Sequence, residues 1–278
     1  EALAEITAVK REKQAAIVHD WQNKWALEGS CGPRNAGMGY WDELKRHYNA
    51  LAREGIAVEF VDQNADLTGY GLVVVPMLYL LTDAFAKKLC AFAQSGGTVI
   101  VTYWSGVVDE SDLCRLGDTP YGLTELLGLR RTEIDGMYDG ETRRCVPSAG
   151  CTLPAALAST LCEVAVLDEK DPAEPLSLYE EDYFAGHPAA AVHRYGKGRA
   201  YYLASRFDEA FYRAFYHNAA KEIGLSPAWP EALPEGVLAV RRGSFVFVQN
   251  CTEQPVTVGN TVLERYRTAV WKDMDRIF

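Results

Sequence analysis

A histidine and two carboxylates near the start of the chain could do acid–base or metal chemistry. His19 and Asp20 directly follow a short apolar run, Ala15–Val18, and Glu28 lies further along the same loop. Imidazole and carboxylate groups at the end of a buried strand can exchange protons with a substrate or bind a cation. The alternative is a hydrogen-bonded loop anchor, which we favour because no second histidine lies nearby and the loop is rich in tryptophan. We therefore expect no catalytic residue and no metal here.

A second place for chemistry is the turn after a later strand, where Ser105 precedes Gly106. Hydrolases that carry a nucleophile on such a turn place a serine or cysteine there and activate it with a base. No base for Ser105 is visible in the sequence. Cys31 lies in a glycine-bounded loop, which is a poor place to stabilise a thiolate by a helix dipole. A divergent amidotransferase-like hydrolase that uses Ser105 or Cys31 is therefore our third hypothesis.

Two further motifs have plain structural explanations. The acidic residues Asp109, Glu110 and Asp112 could bind a cation, but a charge run in a loop is usually solvated or caps the next turn. Residues 196–198, Gly-Lys-Gly, lack the rest of a phosphate loop and do not open a helix. We interpret them as a hairpin turn.

Large apolar side chains are the most distinctive feature of the predicted loops. Loops at one end of the predicted sheet contain Trp21, Trp25, Met77, Tyr79 and Trp104. Such residues are enriched in protein interfaces, and aromatic rings also form sugar-binding platforms. A buried loop core is the structural alternative. We take these five residues as candidates for a binding or interface surface.

Strands that alternate with helices must position these loops. Apolar runs at 15–18, 57–61, 72–75 and 98–102 predict strands buried on both faces. Helix-spaced apolar residues separate them, so a parallel sheet with right-handed crossovers is expected. We therefore predict an α/β fold class, flavodoxin-like and similar to class I glutamine amidotransferases, with a parallel sheet flanked by helices. Loops 20–37, 76–82 and 103–121 then emerge at the carboxyl ends of the strands, where such sheets carry their functional crevice.

The pattern changes after Leu129 to short strands with glycine and proline turns. Predicted strands are 162–167, 176–179, 189–195 and 199–203, and an amphipathic helix ends at Gly224. A proline-rich linker at 225–234 precedes a small antiparallel β domain at 235–278. Its predicted strands are 237–241, 244–250, 254–258 and 269–272.

Composition limits the possible partners. The 278 residues carry a formal net charge of -10, which argues against nucleic acid and anionic membranes as partners. Seven cysteines, an odd number without a C-x-x-C pair, predict reduced thiols and a cytoplasmic protein. Cys145 and Cys151 are close enough in sequence to form a disulfide or bind a metal. We expect no cofactor.

Several segments together resemble one known family. Residues 17–29, 55–61, 72–81, 105–110 and 195–202 are similar to the middle, trimerisation domain of glycoside hydrolase family 42 β-galactosidases. The tail from Val237 resembles the small C-terminal β domain of the same family. The resemblance covers nearly the whole chain.

The resemblance implies a parent enzyme that hydrolyses terminal β-D-galactosides with retention of configuration. That chemistry needs two carboxylates about 5.5 Å apart, which in the family are glutamates of a preceding barrel. This chain has no Asn-Glu dipeptide and too few strand–helix units for a barrel. We therefore assign no catalytic residue, and we interpret residues 1–13 as a linker helix from the missing barrel. Domains are then expected at 14–226 for trimerisation and at 235–278 for the β domain.

Three functions follow in order of preference. The first is a non-catalytic assembly region that forms a homotrimer, with the β-galactoside substrate bound by the missing barrel. The second is a carbohydrate-binding accessory module that uses the aromatic loops or the β domain. The third is the amidotransferase-like hydrolase.

Overall fold

The computed structural model describes residues 6–7, 9, 12–30, 38–273 and 275–276. The predicted linker helix at 1–13 falls mostly outside these residues, and Cys31 lies outside them. The helices of the described residues are α1 (Trp21–Gly29), α2 (Tyr40–Arg53), α3 (Asp83–Gln94), α4 (Thr124–Leu127) and α5 (Glu209–Glu222). Among them, none is both long enough and apolar enough to cross a membrane.

The first strands form the parallel half of a large sheet. They are β1 (Ala15–Val18), β2 (Val58–Val61), β3 (Leu72–Val75) and β4 (Thr98–Thr102). They pair in parallel in the order β2-β1-β3-β4. Every residue of β1, β3 and β4 is buried, as expected for strands covered on both faces. The strands predicted from the apolar runs are confirmed.

The second half of the same sheet is antiparallel. Its strands are β5 (Leu129–Gly136), β6 (Thr142–Pro147), β7 (Ala156–Leu167), β8 (Glu174–Tyr179), β9 (Pro188–Tyr195), β10 (Gly198–Leu203) and β11 (Ser205–Arg206). They follow the order β11-β7-β6-β8-β9-β10, and β5 pairs with β7. Strand β10 pairs in parallel with β4 and antiparallel with β9, so it joins the two halves. The hairpin predicted at residues 196–198 is confirmed. The expectation of a parallel sheet is therefore correct for only part of the sheet.

Local signals explain where the helices begin and end. The Asp20 carboxylate accepts hydrogen bonds from two amides of α1, and the Thr82 hydroxyl accepts one from the Phe85 amide of α3. Gly55 follows α2 with φ +67°, a conformation in which a side chain would be strained. Helix α1 corrects the sequence analysis, since residues 20–37 were expected to form a loop.

A separate small sheet follows. It is formed by β12 (Val237–Arg242), β13 (Phe245–Asn250), β16 (Thr268–Lys272) and β17 (Asp275–Arg276), beside a hairpin of β14 (Val256–Val258) and β15 (Thr261–Leu263). Trp229 and Trp271 pack edge to face in its core, with ring centroids 4.9 Å apart. Part of the expected linker at 225–234 is thus packed against the rest of the chain. Trp229 is buried, and the Ala228 amide donates to the Gly55 carbonyl.

Candidate functional site

Three tryptophans form an exposed cluster beyond the carboxyl end of β1. Trp21 and Trp25 lie on α1, and Trp41 lies on the first turn of α2; their exposed fractions are 53%, 62% and 43%. The ring centroid of Trp21 lies 6.3 Å from that of Trp25 and 6.0 Å from that of Trp41. We call these three residues the aromatic surface. It is a contiguous apolar patch, which is the kind of surface that marks interaction sites.

A buried asparagine holds α1 against the sheet. The Asn23 side-chain amide donates to the Met77 carbonyl at 3.1 Å and accepts from the Leu80 amide at 2.9 Å. Gln63 donates to the carboxylate of Asp20, which caps the helix. Trp21 and Trp25 therefore stand on a helix that is fixed by polar contacts to the loop after β3.

Three of the five candidate residues lie in the interior. Met77 is fully buried, and Tyr79 and Trp104 are 8% and 5% exposed. The rings of Tyr79 and Trp104 stack with centroids 5.7 Å apart. Met77 and Trp104 have φ angles of 43° and 59°, where a side chain is strained, so the surrounding contacts hold both loops in place. Only Trp21 and Trp25 of the predicted set are on the surface of this chain, because the loops after β3 and β4 fold back over the sheet.

The histidine and carboxylates near β1 have structural roles. The His19 ring packs 4.8 Å from the Trp41 ring and 5.1 Å from the Trp21 ring. Burial lowers the pKa of His19, which keeps it neutral at pH 7. Asp20 caps α1, and Glu28 pairs with Lys24 at 2.5 Å. Across the described ranges, no cluster of three or more His, Cys, Asp or Glu side chains could hold a metal ion.

Ser105 is buried and bonded to backbone. Among the described residues, its hydroxyl accepts a hydrogen bond from the Leu78 amide at 3.0 Å. The strained position of the turn belongs to Trp104, whose amide donates to the Glu163 carboxylate at 2.9 Å. A Cβ on Gly106 would lie 2.8 Å from the Tyr121 amide nitrogen. The turn is therefore shaped by packing, and its serine has no histidine partner among these contacts.

The cysteines of the described part of the chain are free thiols: Cys90, Cys114, Cys145, Cys151, Cys162 and Cys251. Cys145 and Cys151 are thus not joined. Burial raises the pKa of Cys145 and of Cys162 to about 12. Such thiols stay protonated at pH 7 and are poor nucleophiles.

A buried ionic network at the start of α2 was missed by the sequence analysis. Arg206 donates to the Glu43 carboxylate at 2.9 Å, and Tyr212 donates to the other carboxylate oxygen at 2.7 Å. Burial by itself would raise the pKa of Glu43, but His47 and Arg206 outweigh it and lower that pKa to about 2. Arg206 also donates to the Met38 carbonyl, just before the helix that carries Trp41. The network fixes the start of α2.

A comparison with known proteins identifies the family of this chain. Residues 13–226 match the family model of the β-galactosidase trimerisation domain. The chain belongs to this family. The resemblance noted in the sequence is confirmed, and the region that matches contains the whole aromatic surface.

Curated relatives of this trimerisation domain are bacterial β-galactosidases. The enzyme BglY of Alicyclobacillus acidocaldarius is 43% identical over 261 residues, which cover 91% of this chain and 38% of that protein. GanA of Bacillus subtilis is 34% identical and covers 91% of this chain and 37% of its own length. The chain therefore spans well under half of the relatives that it matches.

Solved structures agree with the sequence relatives. The β-galactosidase from Rahnella sp. R3 superposes with a TM-score of 0.90 at 37% identity, covering 98% of this chain and 42% of that one. The enzyme from Bacillus circulans sp. alkalophilus gives a TM-score of 0.85 at 29% identity, with 97% and 41% covered. The trimerisation domain and the small β sheets are thus found together in solved β-galactosidases.

Proposed function

We propose that this chain is the non-catalytic assembly region of a cytoplasmic β-galactosidase that hydrolyses terminal β-D-galactosides. It joins three copies into a homotrimer through the loops at the carboxyl end of the sheet. The observation that carries this proposal is the aromatic surface, three clustered and exposed tryptophans inside the region that matches a trimerisation domain.

Covering this surface would make a favourable contribution to a contact, against the translational and rotational freedom that association costs. An aromatic side chain buries roughly 150–250 Å² when it is fully covered. Covering the exposed half of one ring would remove roughly 100 Å² from water, which stabilises a contact by roughly 2.5 kcal/mol at the usual coefficient. Because Asn23 already fixes α1, little conformational entropy is lost on association.

The fold supports the same assignment. The order β2-β1-β3-β4-β10 follows the pattern 2-1-3-4-5 of flavodoxin-like sheets, so we infer a flavodoxin-like domain at residues 14–226. Separate hydrophobic cores support a second domain at 235–278. In the parent enzyme the trimer would set each barrel beside a neighbouring copy and restrict which galactosides enter. The free thiols support a cytoplasmic location.

Light scattering behind size exclusion tests the proposal on the 278-residue chain. A mass near three times 30.8 kDa is expected. Trp21→Ala with Trp25→Ala should shift the mass towards one copy. Tyr266→Ala is the matched control, because Tyr266 is 59% exposed and lies outside the matched region. A monomeric wild-type chain would overturn the proposal.

Carbohydrate binding is the second candidate, and the same exposed rings favour it. Stacking of a sugar on Trp21 or Trp25 would change tryptophan fluorescence when galactose or lactose is added at millimolar concentration. No change in the wild-type chain would remove this candidate. A change that persists in the Trp21→Ala, Trp25→Ala variant would place the sugar elsewhere.

A further inference from the structure

A second exposed apolar group lies on the loop that follows β4. Leu113 and Leu116 are 64% and 90% exposed. The backbone around them is well paired, because the Asp109 carboxylate accepts from the Leu113 amide and the Asp109 amide donates to the Leu113 carbonyl. The Arg115 amide also donates to the Val107 carbonyl at 2.9 Å. We call residues 109–118 the leucine loop.

Arg115 fixes the leucine loop to the body of the domain. Its guanidinium pairs with Asp83 at 2.7 Å and donates to the Leu81 carbonyl at 3.2 Å. The same group stacks over the Tyr121 ring, 4.2 Å from the centroid. Leu113 and Leu116 are therefore exposed on a loop that Arg115 holds in place.

Ordered, exposed leucines favour association. Fully covering one leucine side chain stabilises a contact by roughly 1.5–3 kcal/mol. A loop that is already ordered loses little entropy when it binds. Leu116, at 90%, is the most exposed of the large hydrophobic side chains that the structure describes. Exposed tyrosines can use their polar group; the Tyr183 hydroxyl, for example, donates to Glu133 at 2.8 Å. Leucine has no such group, so only burial by a partner removes its apolar area from water.

The leucine loop and the aromatic surface lie at one end of the sheet. The aromatic surface follows β1, the leucine loop follows β4, and β3 lies between the two strands. The loop after β3 connects them, since Asn23 bonds to Met77 and Leu80, and Leu80 forms a parallel bridge with Val108. The two apolar groups thus follow strands separated only by β3, and hydrogen bonds through the loop after β3 link the segments that carry them.

A ring of three copies requires two different surfaces on each copy. Only a twofold interface can use the same patch on both sides, whereas a three-membered ring repeats a head-to-tail contact. We propose that Leu113 and Leu116 of each copy pack against Trp21 and Trp25 of the next copy. The threefold axis then lies close to the loop after β3. This inference rests on the proposed trimer and adds the pairing of its two surfaces.

Complementation between two variants tests the pairing. One variant carries Leu113→Ser and Leu116→Ser, and the other carries Trp21→Ser and Trp25→Ser. Each alone should have the mass of one copy, since every contact in its ring is broken. A 1:1 mixture retains one intact contact per pair and should give a mass near twice 30.8 kDa. Val262→Ser is the control, because Val262 is 58% exposed and lies in the small β sheets.

Cross-linking provides an independent measurement. Cys114 is an exposed thiol in the leucine loop, and Glu28 is exposed one helical turn beyond Trp25. In the chain with Glu28→Cys, a short bismaleimide should produce covalent dimers and trimers. The same chain with Cys114→Ser should lose these products, whereas any cross-link formed by the exposed Cys251 should persist in both chains.

The outcomes separate the two proposals. A wild-type chain of one-copy mass overturns the trimer itself. A trimer that survives the two leucine substitutions overturns the pairing and leaves the trimer intact. A variant mixture that stays at one-copy mass, together with no cross-link that depends on Cys114, also overturns the pairing. A mixed dimer together with that cross-link supports it.

Discussion

Two groups of aromatic residues stand at the same end of the sheet and differ in exposure. Trp21 and Trp25 follow β1 on a regular helix and are more than half exposed, whereas Tyr79 and Trp104 follow β3 and β4 and are buried. Trp104 has a strained backbone held by a hydrogen bond to Glu163. The comparison indicates that the buried pair stabilises the face and that the exposed pair is available to a partner.

Truncation of a buried ring should have the largest effect. Trp104→Ala leaves a cavity below the loops, so it should lower the free energy of unfolding by about 3–5 kcal/mol. Urea unfolding followed by far-UV circular dichroism measures this. An unchanged midpoint would contradict the assignment of Trp104 to the core.

Acid should weaken the ionic network at the start of α2. The pKa of Glu43 is lowered from 4.5 to about 2 in the folded chain. Its ionised form therefore contributes stability that is fully present above pH 4.5 and is lost as the pH falls towards 2, about 3 kcal/mol in all.

Glu43→Gln tests this directly. At pH 7 the variant should be less stable than wild type, because Arg206 is left without its buried carboxylate. The difference in unfolding free energy should shrink as the pH approaches 2. Glu253→Gln is the matched control, because the exposed Glu253 side chain lies between β13 and β14 of the small β sheets. A difference that stays constant with pH would contradict the role given to Glu43.

An intermediate effect is expected at Asn23, which joins the helix of the exposed tryptophans to the loop that carries the buried Tyr79. Asn23→Ala takes away the acceptor of the buried Leu80 amide, which costs about 1–3 kcal/mol. The Met77 carbonyl loses one donor and keeps the Tyr79 amide. The variant should also weaken the trimer, since α1 is no longer fixed. If unfolding and oligomer mass both match wild type, Asn23 does not position the aromatic surface.

The smallest effect on folding should come from the exposed ring. Trp25→Ala removes little packing within the chain, so the unfolding free energy of a single copy should change by less than about 0.5 kcal/mol. Urea unfolding at a protein concentration where the wild-type chain is dissociated measures the unfolding free energy of the single copy alone. A loss as large as that of Trp104→Ala would remove the distinction between the two groups.

Much of the fold is predictable from the sequence because its signals are local. Continuous apolar runs such as Leu72–Val75 identify strands buried on both faces, and Gly55 identifies a helix end. Helix α1 was missed because it has no apolar stripe: Trp21 and Trp25 face solvent, and the polar Asn23 is buried. Tertiary hydrogen bonds hold this helix, and periodicity does not report them.

The candidate site was only partly predictable for a similar reason. Composition identifies the aromatic residues, but their exposure depends on how the loops after β3 and β4 fold over the sheet. The pairing of Glu43 with Arg206 joins residues 163 positions apart, and neither has a local signature. The exposed leucines were not singled out because an apolar residue in a loop is commonplace.

The pairing of β4 with the distant strand β10 affects how the chain folds. The outer side of β4 pairs with β10, in which Arg199 lies opposite Thr98, about one hundred residues later. While the chain is being synthesised, β1, β2, β3 and β4 can assemble early, but the free side of β4 stays open until β10 arrives. An unpaired edge rich in β-branched residues is a template for aggregation, and contacts this distant in sequence form slowly. Substitutions that delay the β9–β10 hairpin should therefore lower the yield of folded protein more than they lower its final stability.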